Sequence, residues 1–417
     1  MQQHHSVFYD DLETLDPHVR ELTLFASLPR QIHHAQQNSA SFAKILAGIN
    51  GADIINRQAL AQLPITRKSN LIALQEKNPP FGGLAALFPR QMRRIFSSPG
   101  PIYEPEARRI DFWRMARALY AAGFRTGDIV HNCLSYHFTP GGWMFDDGAQ
   151  ALGCAVFPAG TGQTEQQVRS ITDIRPNAYT GTPSFLKIIL EKARELNTDV
   201  SCLRKALVSG EALPNSLRRE INNAGIDIYQ CYATADLGMI AYESSAKEGL
   251  ILDEALILEI VRAGTGEPVA TGEIGEVVIT SLCPEYPLIR FATGDLSAVL
   301  AEASPCGRTN VRIKGWLGRA DQTTKIKGMF VHPEQIDAVI KRHPAVSYAR
   351  LVVDRDNFND IMTLYCEVKD NAQTPELTSA LENSVQVVCK LKGKVQLVKC
   401  QTLARDGKVI DDIRKYD

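Results

Sequence analysis

Lys205-Ala-Leu-Val-Ser209-Gly210-Glu211-Ala212 decides how the chain is read. A short apolar run with strand character passes directly into a serine, a glycine and an acid, and it is too brief for a helix. Its neighbours repeat the arrangement. Asp128 to Leu134, Cys154 to Pro158, Ala178 to Thr180 and Ile226 to Tyr229 also read as strands. Between them, Glu165 to Ile174 and Ser184 to Leu196 have the apolar spacing of helices, Ala149 to Gly153 ends another, and Ala107 to Gly123 reads as a helix stopped by Gly123. Such alternation predicts an α/β body in which helices cover both faces of a parallel sheet and ligands bind at the carboxyl ends of the strands.

Residues 1–90 read as mostly helical, with Ser41 to Ile49 one helix and Leu60 to Leu74 another that continues past Pro64. After Gly249 the character changes. Ala255 to Val261, Gly275 to Thr280 and Ser297 to Leu300 read as strands of a β-rich subdomain. A charged segment, Lys314 to Gly328, precedes a helix at Pro333 to Lys341, strands at Tyr348 to Val353 and Ile361 to Val368, a helix near Glu376 to Val388 and a strand at Val395 to Lys399. That order predicts a small α+β domain. The expected division is a body of residues 1–320 and a small domain of residues 321–417.

The 46 basic and 47 acidic side chains give a net charge of -1, which offers no electrostatic case for nucleic acid or an anionic membrane. No apolar tract reaches the roughly 20 residues that span a bilayer, and Met1 to Asp10 has no signal-peptide pattern. The nine cysteines are scattered and unpaired in spacing, which argues for reduced thiols in a cytoplasmic protein.

Five polar clusters carry the chemistry. Ser209-Gly210-Glu211-Ala212 lets a flat ligand approach the backbone, and Glu211 suits a purine edge or a helix cap. Tyr229 to Asp236 supplies an aromatic ring (Tyr232), a hydroxyl (Thr234) and a carboxylate (Asp236), fit to stack a base, touch a phosphate and hold a hard cation, or to form a capped turn. In Ile289 to Leu296, Asp295 follows a tight turn at Gly294 and can accept from a ribose diol or cap that turn. Gly318 to Gly328 holds Arg319, Asp321, Lys325 and Lys327 at the expected domain boundary. Asp406-Gly407-Lys408 places a lysine, a compact point charge for phosphate, on a glycine loop.

In this order and spacing, the five clusters resemble the adenylate-forming superfamily, and within it the phenylacetate–CoA ligase branch. Gly162-Gln163-Thr164-Glu165, Thr182-Pro183-Ser184 and Arg312 to Pro333 support the likeness. The resemblance implies ATP-dependent activation of a carboxylic acid, aryl or related, to an acyl-adenylate, then transfer to coenzyme A. It places Ser209 to Ala212, Tyr232 and Thr234 beside the adenine and phosphates, Asp295 and Arg319 on the nucleotide, and Mg²⁺ on Asp236, where the family usually has a glutamate. Lys408 becomes the catalytic cation, Asp321 the hinge of a mobile small domain, and Lys325, with Lys327 and Gly328, part of the segment that serves thioester formation. Tyr136, Phe138, Gly141 and Trp143 fall where the family lines its acyl pocket, with His137 as a second catalytic candidate facing the carboxylate. Asp146 and Asp147 suit either a substrate amine or the start of a helix.

The family's phosphate loop is altered. Phe96-Ser97-Ser98-Pro99-Gly100-Pro101-Ile-Tyr103-Glu104-Pro105 lacks its threonines and lysine, three prolines remove N–H donors, and Glu104 would repel phosphate. Arg93 or Arg94 could replace it. A zinc site known in some relatives is not expected, because Ser244 and Ser304 leave Cys306 alone. Two other functions stay open: an adenylating enzyme that delivers to an acyl carrier protein or an amine, and a non-catalytic nucleotide-binding relative. The family makes a homodimer plausible.

Overall fold

The computed structural model describes residues 6–99, 101–262, 265–320, 324–331, 333–356, 359–369, 373–403 and 409–414. The chain forms two compact units, Met1–Leu317 and Gly318–Asp417.

The first unit is built on a nine-stranded sheet. From one edge, Ala155–Phe157, Ile129–Asn132, Ala178–Gly181, Lys205–Val208 and Asp227–Thr234 run parallel. Antiparallel strands Gly238–Tyr242, Leu250–Leu252, Arg312–Ile313 and Val299–Leu300 extend it. Lys205 to Val208 sits inside the parallel part, and its buried residues Ala206 to Val208 reflect cover on both faces. The helix Pro183–Glu195 shows why the crossovers form. Thr182 caps it by accepting from the Phe185 N–H, Pro183 opens it, and Lys192 and Arg194 close its last turn.

A second sheet orders Thr66–Arg67, Phe291–Ser297, Gly275–Ser281 and Leu256–Val261. Arg290 locks it. The guanidinium, 2% exposed, donates to both oxygens of Glu259 and to the carbonyls of Ala61, Leu63 and Gly266. The Arg290 carbonyl accepts from the Thr66 N–H. The segment after Pro64 is thereby drawn into parallel pairing, with Thr66 opposite Phe291 and Arg67 opposite Ala292.

That pairing overturns the continuous helix expected from Leu60 to Leu74. Helices Arg57–Leu60 and Leu71–Lys77 flank a strand instead. The helix expected over Ala107 to Gly123 contracts to Met115–Ala121. Asp111 and Arg114 adopt left-handed backbone conformations, and the Asp111 carboxylate accepts from the Met115 and Ala116 N–H groups, starting the helix late. The strand ending at Tyr229 in the sequence reading continues to Thr234 and turns at Gly238 into an antiparallel partner. Gly238 has φ +72°, and a Cβ there would meet the Trp113 carbonyl at 2.8 Å.

The second unit pairs strands Lys394–Lys399, Asn359–Val368, Val346–Asp356 and Ile410–Asp412 in that order. Helices Pro333–Lys341 and Pro375–Cys389 accompany a hairpin of Thr324–Ile326 and Met329–Val331. Its own apolar core includes Ile336, Val339, Leu351, Leu364, Leu381 and Val385.

Replacing Arg290 with methionine leaves the Glu259 carboxylate buried without its ion pair and three carbonyls without a donor. Urea denaturation is expected to show a loss of about 3–5 kcal/mol.

Candidate active site

The altered phosphate segment folds as a hairpin. Arg94–Ser98 pairs antiparallel with Ile102–Glu106, with Phe96 opposite Glu104 and Arg94 opposite Glu106. Phe96, Ile102, Glu104 and Glu106 point inward and are buried, whereas Ile95 and Tyr103 are exposed. Glu104 accepts from the Ser98 N–H and hydroxyl. Burial, followed by the charge of Asp236, pushes its carboxyl up to about 8.

Arg93 and Arg94, the candidates to replace a phosphate lysine, are both turned to carboxylates. Arg93 binds Asp147 at 2.6 Å and Glu106 at 3.2 Å. Arg94 binds Glu106 at 2.7 Å and stacks over Trp143, 3.9 Å from the ring centroid. Asp146 and Asp147 lie inside the helix Gly141–Ala151, not before one. Asp147 holds these arginines, and Asp146 accepts from the Tyr136 hydroxyl at 2.7 Å.

Asp236 is fully enclosed, and one carboxylate oxygen receives the Lys68 ammonium at 2.5 Å. Among the described residues, its Oδ1 has no hydrogen-bond partner, nor does the buried Tyr286 hydroxyl. The charges of Asp236 and Glu104 both raise the Tyr286 pKa, after burial, which places the three groups together. The sequence reading missed Lys68, whose only signal is a basic pair after Pro64 and Thr66. The Thr234 hydroxyl accepts from the Leu237 N–H and shapes the turn to Asp236.

Asp295 lies within the strand Phe291–Ser297 rather than after a turn. Gly294, at φ +77°, sits in an irregularity that interrupts pairing with Gly275–Ser281 between Ala292 and Leu296. The Asp295 carboxylate accepts from the Tyr232 hydroxyl at 2.6 Å and from the Trp316 indole at 3.0 Å. Tyr232 thus bridges the nine-stranded and the four-stranded sheets.

Ser209 is buried and donates to the Cys231 carbonyl. Gly210 follows at φ +81°, exposed, and Glu211 and Ala212 are half-buried. Glu211 accepts from the Ser184 hydroxyl at 2.6 Å, so this segment is tied to the turn opening the preceding helix. Arg319 and Lys325 belong to the second unit, Lys325 on the strand Thr324–Ile326. Asp321 and Lys408 lie outside the described residues.

In the segment expected to line an acyl pocket, the Tyr136 hydroxyl accepts from Asn132 at 2.7 Å, and the Trp143 indole donates to the Tyr136 carbonyl. Gly141 begins the helix, and Gly142 packs so closely that a Cβ would meet the Tyr136 ring at 2.8 Å. His137 is exposed and meets Phe138 edge-on, with ring centroids 4.8 Å apart. Phe138 is 71% exposed in a left-handed backbone conformation, and its carbonyl accepts from Ser97 of the hairpin. The hairpin and the acyl segment are therefore joined by backbone, ion pairs and a cation–π contact.

Among the described residues, no three His, Cys, Asp or Glu side chains gather as a metal-binding group. The orphaned, enclosed Asp236 Oδ1 nonetheless fits a hard cation completed by ligand oxygens. The Cys306 thiol lies 3.1 Å from the Ser304 hydroxyl. Burial raises its pKa, but hydrogen bonds from Ser244 and Ser304 outweigh that and lower it.

The first unit is thus an α/β body with polar clusters at its strand ends, followed in the chain by a small α+β unit. Residues 110–283 match the family described as AMP-binding enzyme, and residues 328–413 match its C-terminal domain. The phenylacetate–coenzyme A ligase of Thermus thermophilus is 30% identical over 384 residues, covering 87% of this chain and 85% of that one. The Escherichia coli enzyme of the same description is 29% identical, covering 96% and 95%. In fold, the chain resembles a 2-hydroxyisobutyryl-CoA ligase solved with 2-HIB-AMP and CoA, at TM-score 0.85 and 23% identity, covering 100% and 94%. The chain belongs to the AMP-binding enzyme family, in its phenylacetate–coenzyme A ligase branch. It is by class an AMP-forming acid–thiol ligase, using ATP to make an acyl-adenylate and passing the acyl group to coenzyme A.

Burial, opposed by Arg94 and reinforced by Asp147, pushes Glu106 up to about 7, above the usual carboxylate range. Between the unfolded value of 4.5 and about 7, rising pH ionises the unfolded state first and so lowers stability. Glu106→Gln is expected to remove that slope. Its melting temperature should gain a few degrees relative to wild type between pH 5 and pH 7.5, and a constant difference across that range would contradict the assignment.

Proposed function

We propose that the protein activates a small aryl carboxylic acid at the site framed by Tyr232, Asp295 and Asp236. The observation that carries this reading is the Tyr232–Asp295 hydrogen bond, which sets an aromatic ring and an acceptor-only carboxylate side by side on two different sheets. An acceptor-only carboxylate suits ribose hydroxyls, and Asp295 also accepts from Tyr232 and Trp316. Tyr232 supplies the face against adenine, with Ser209 to Ala212 along its edge.

Asp236 would hold Mg²⁺ through Oδ1, and the ion would supply positive charge against the phosphates. Lys408 is assigned to the charge that develops as the acid attacks the α-phosphorus, and Arg319 to the nucleotide. We assign Asp321 as a hinge about which residues 321–417 move relative to a body of residues 1–320, bringing Lys325 into use for thioester formation. His137 faces the substrate carboxylate in this reading. Phe138 offers the exposed aromatic surface for the acyl group, since Arg94 already covers a face of Trp143. Two relatives named phenylacetate–coenzyme A ligase support an aryl acid. The nine free cysteines suit a cytoplasmic setting, and a homodimer is the expected assembly.

Carboxylate-dependent pyrophosphate release should appear with aryl acids, with a thioester formed when coenzyme A is added. Release that never yields a thioester would point to a carrier protein or an amine as acceptor. Phe138→Ala should raise KM for the aryl acid up to about tenfold while leaving KM for ATP unchanged. Asp295→Ala should weaken ATP binding roughly ten- to hundredfold by calorimetry, and unchanged affinity would remove the ribose role.

A further inference from the structure

We infer that Lys68 is the residue that binds the β- and γ-phosphates of ATP in this protein, taking over charge that the hairpin 94–106 cannot supply. The inference rests on the ligase reading above and adds to it a residue from a different part of the chain.

A triphosphate needs cations and N–H donors around it. The hairpin offers neither in adequate number. Pro99, Pro101 and Pro105 have no N–H, Arg93 and Arg94 are turned to Asp147 and Trp143 and not to Asp236, and Glu104 turns its carboxyl inward. The backbone N–H of Ser98 is itself donated to Glu104. Counter-charge for the phosphates must therefore come from outside the hairpin.

Lys68 meets that requirement by position. The pairing of Thr66–Arg67 with Phe291 and Ala292 sets it beside the strand that carries Asp295. Its ammonium reaches Asp236, and Glu104 is close enough for its ionisation to respond to that ammonium. Lys68 thus stands between the ribose candidate, the metal candidate and the hairpin. Its side chain is 23% exposed whereas that of Asp236 is fully enclosed, so the cation is the member of the pair that meets solvent. The neighbouring Arg67 is engaged by Glu276 at 2.8 Å and does not compete for this role. As a compact point charge, the Lys68 ammonium acts on Asp236 and on phosphate oxygens alike. Asp236 keeps its Oδ1 available for a metal ion at the same time. In the adenylation step the bond from the α-phosphorus to the bridging oxygen breaks, and pyrophosphate leaves with that electron pair. Lys68 stabilises the charge that gathers there.

The test separates phosphate recognition from a purely structural ion pair. Dissociation constants of ATP, pyrophosphate and AMP are measured by calorimetry for wild type, Lys68→Met and Lys68→Arg, with folding checked by thermal melting. Lys68→Met should weaken ATP and pyrophosphate roughly ten- to hundredfold and leave AMP within about twofold, with Lys68→Arg recovering part of the loss. In parallel, lysine acylation of the wild-type protein is followed by mass spectrometry. ATP and tripolyphosphate should protect Lys68, and AMP should not, which decides the matter even if Lys68→Met fails to fold. ATP affinity in folded Lys68→Met within twofold of wild type, or equal protection of Lys68 by AMP, overturns the inference and leaves the ligase reading intact. Failure of wild type to bind either nucleotide removes the ligase reading, and this inference with it.

Discussion

Arg290 is the constraint from which the ligand side of the first unit follows. A guanidinium buried to 2% exposure needs its donors satisfied. Glu259 and the carbonyls of Ala61, Leu63 and Gly266 satisfy them. The backbone on either side of Pro64 has no freedom left once those carbonyls are held, and the Thr66 N–H closes onto Arg290 itself. A two-residue strand results, with little pairing of its own, yet it sets the start of the strand leading to Asp295 and the direction in which Lys68 leaves the sheet.

A second network fixes the segment Tyr136 to Trp143. Glu106 and Asp147, both buried, take two arginines from the same stretch of chain, and one of those arginines lies across Trp143. Opposite charges in a low-dielectric setting favour one arrangement strongly over alternatives. The hairpin is therefore positioned by its first residues and by the Ser97–Phe138 backbone bond. Changes in the hairpin and in the acyl segment should be felt by one another, because they share these contacts.

The parallel strands were legible because each is a short apolar run ending in a polar turn, as at Lys205–Val208 and Ile129–Asn132. The order of the polar clusters was legible for the same local reason. What escaped the sequence depends on distant partners. Pro64 inside an apolar spacing did not reveal a strand, since the strand is made by Arg290. Arg93 and Arg94 looked available for phosphate because Asp147, 54 positions from Arg93, carried no mark of being their partner. Lys68 was passed over because Asp236 lies 168 positions away.

The paired hairpin also changes the kinetics expected around the nucleotide. A glycine-rich phosphate loop is ordered by each arriving triphosphate and released with each departing pyrophosphate, so its entropy enters every turnover. Strands already zippered from Arg94 to Ser98 and from Ile102 to Glu106 have lost that entropy during folding. A nucleotide that bound against them would meet strands that are ordered beforehand.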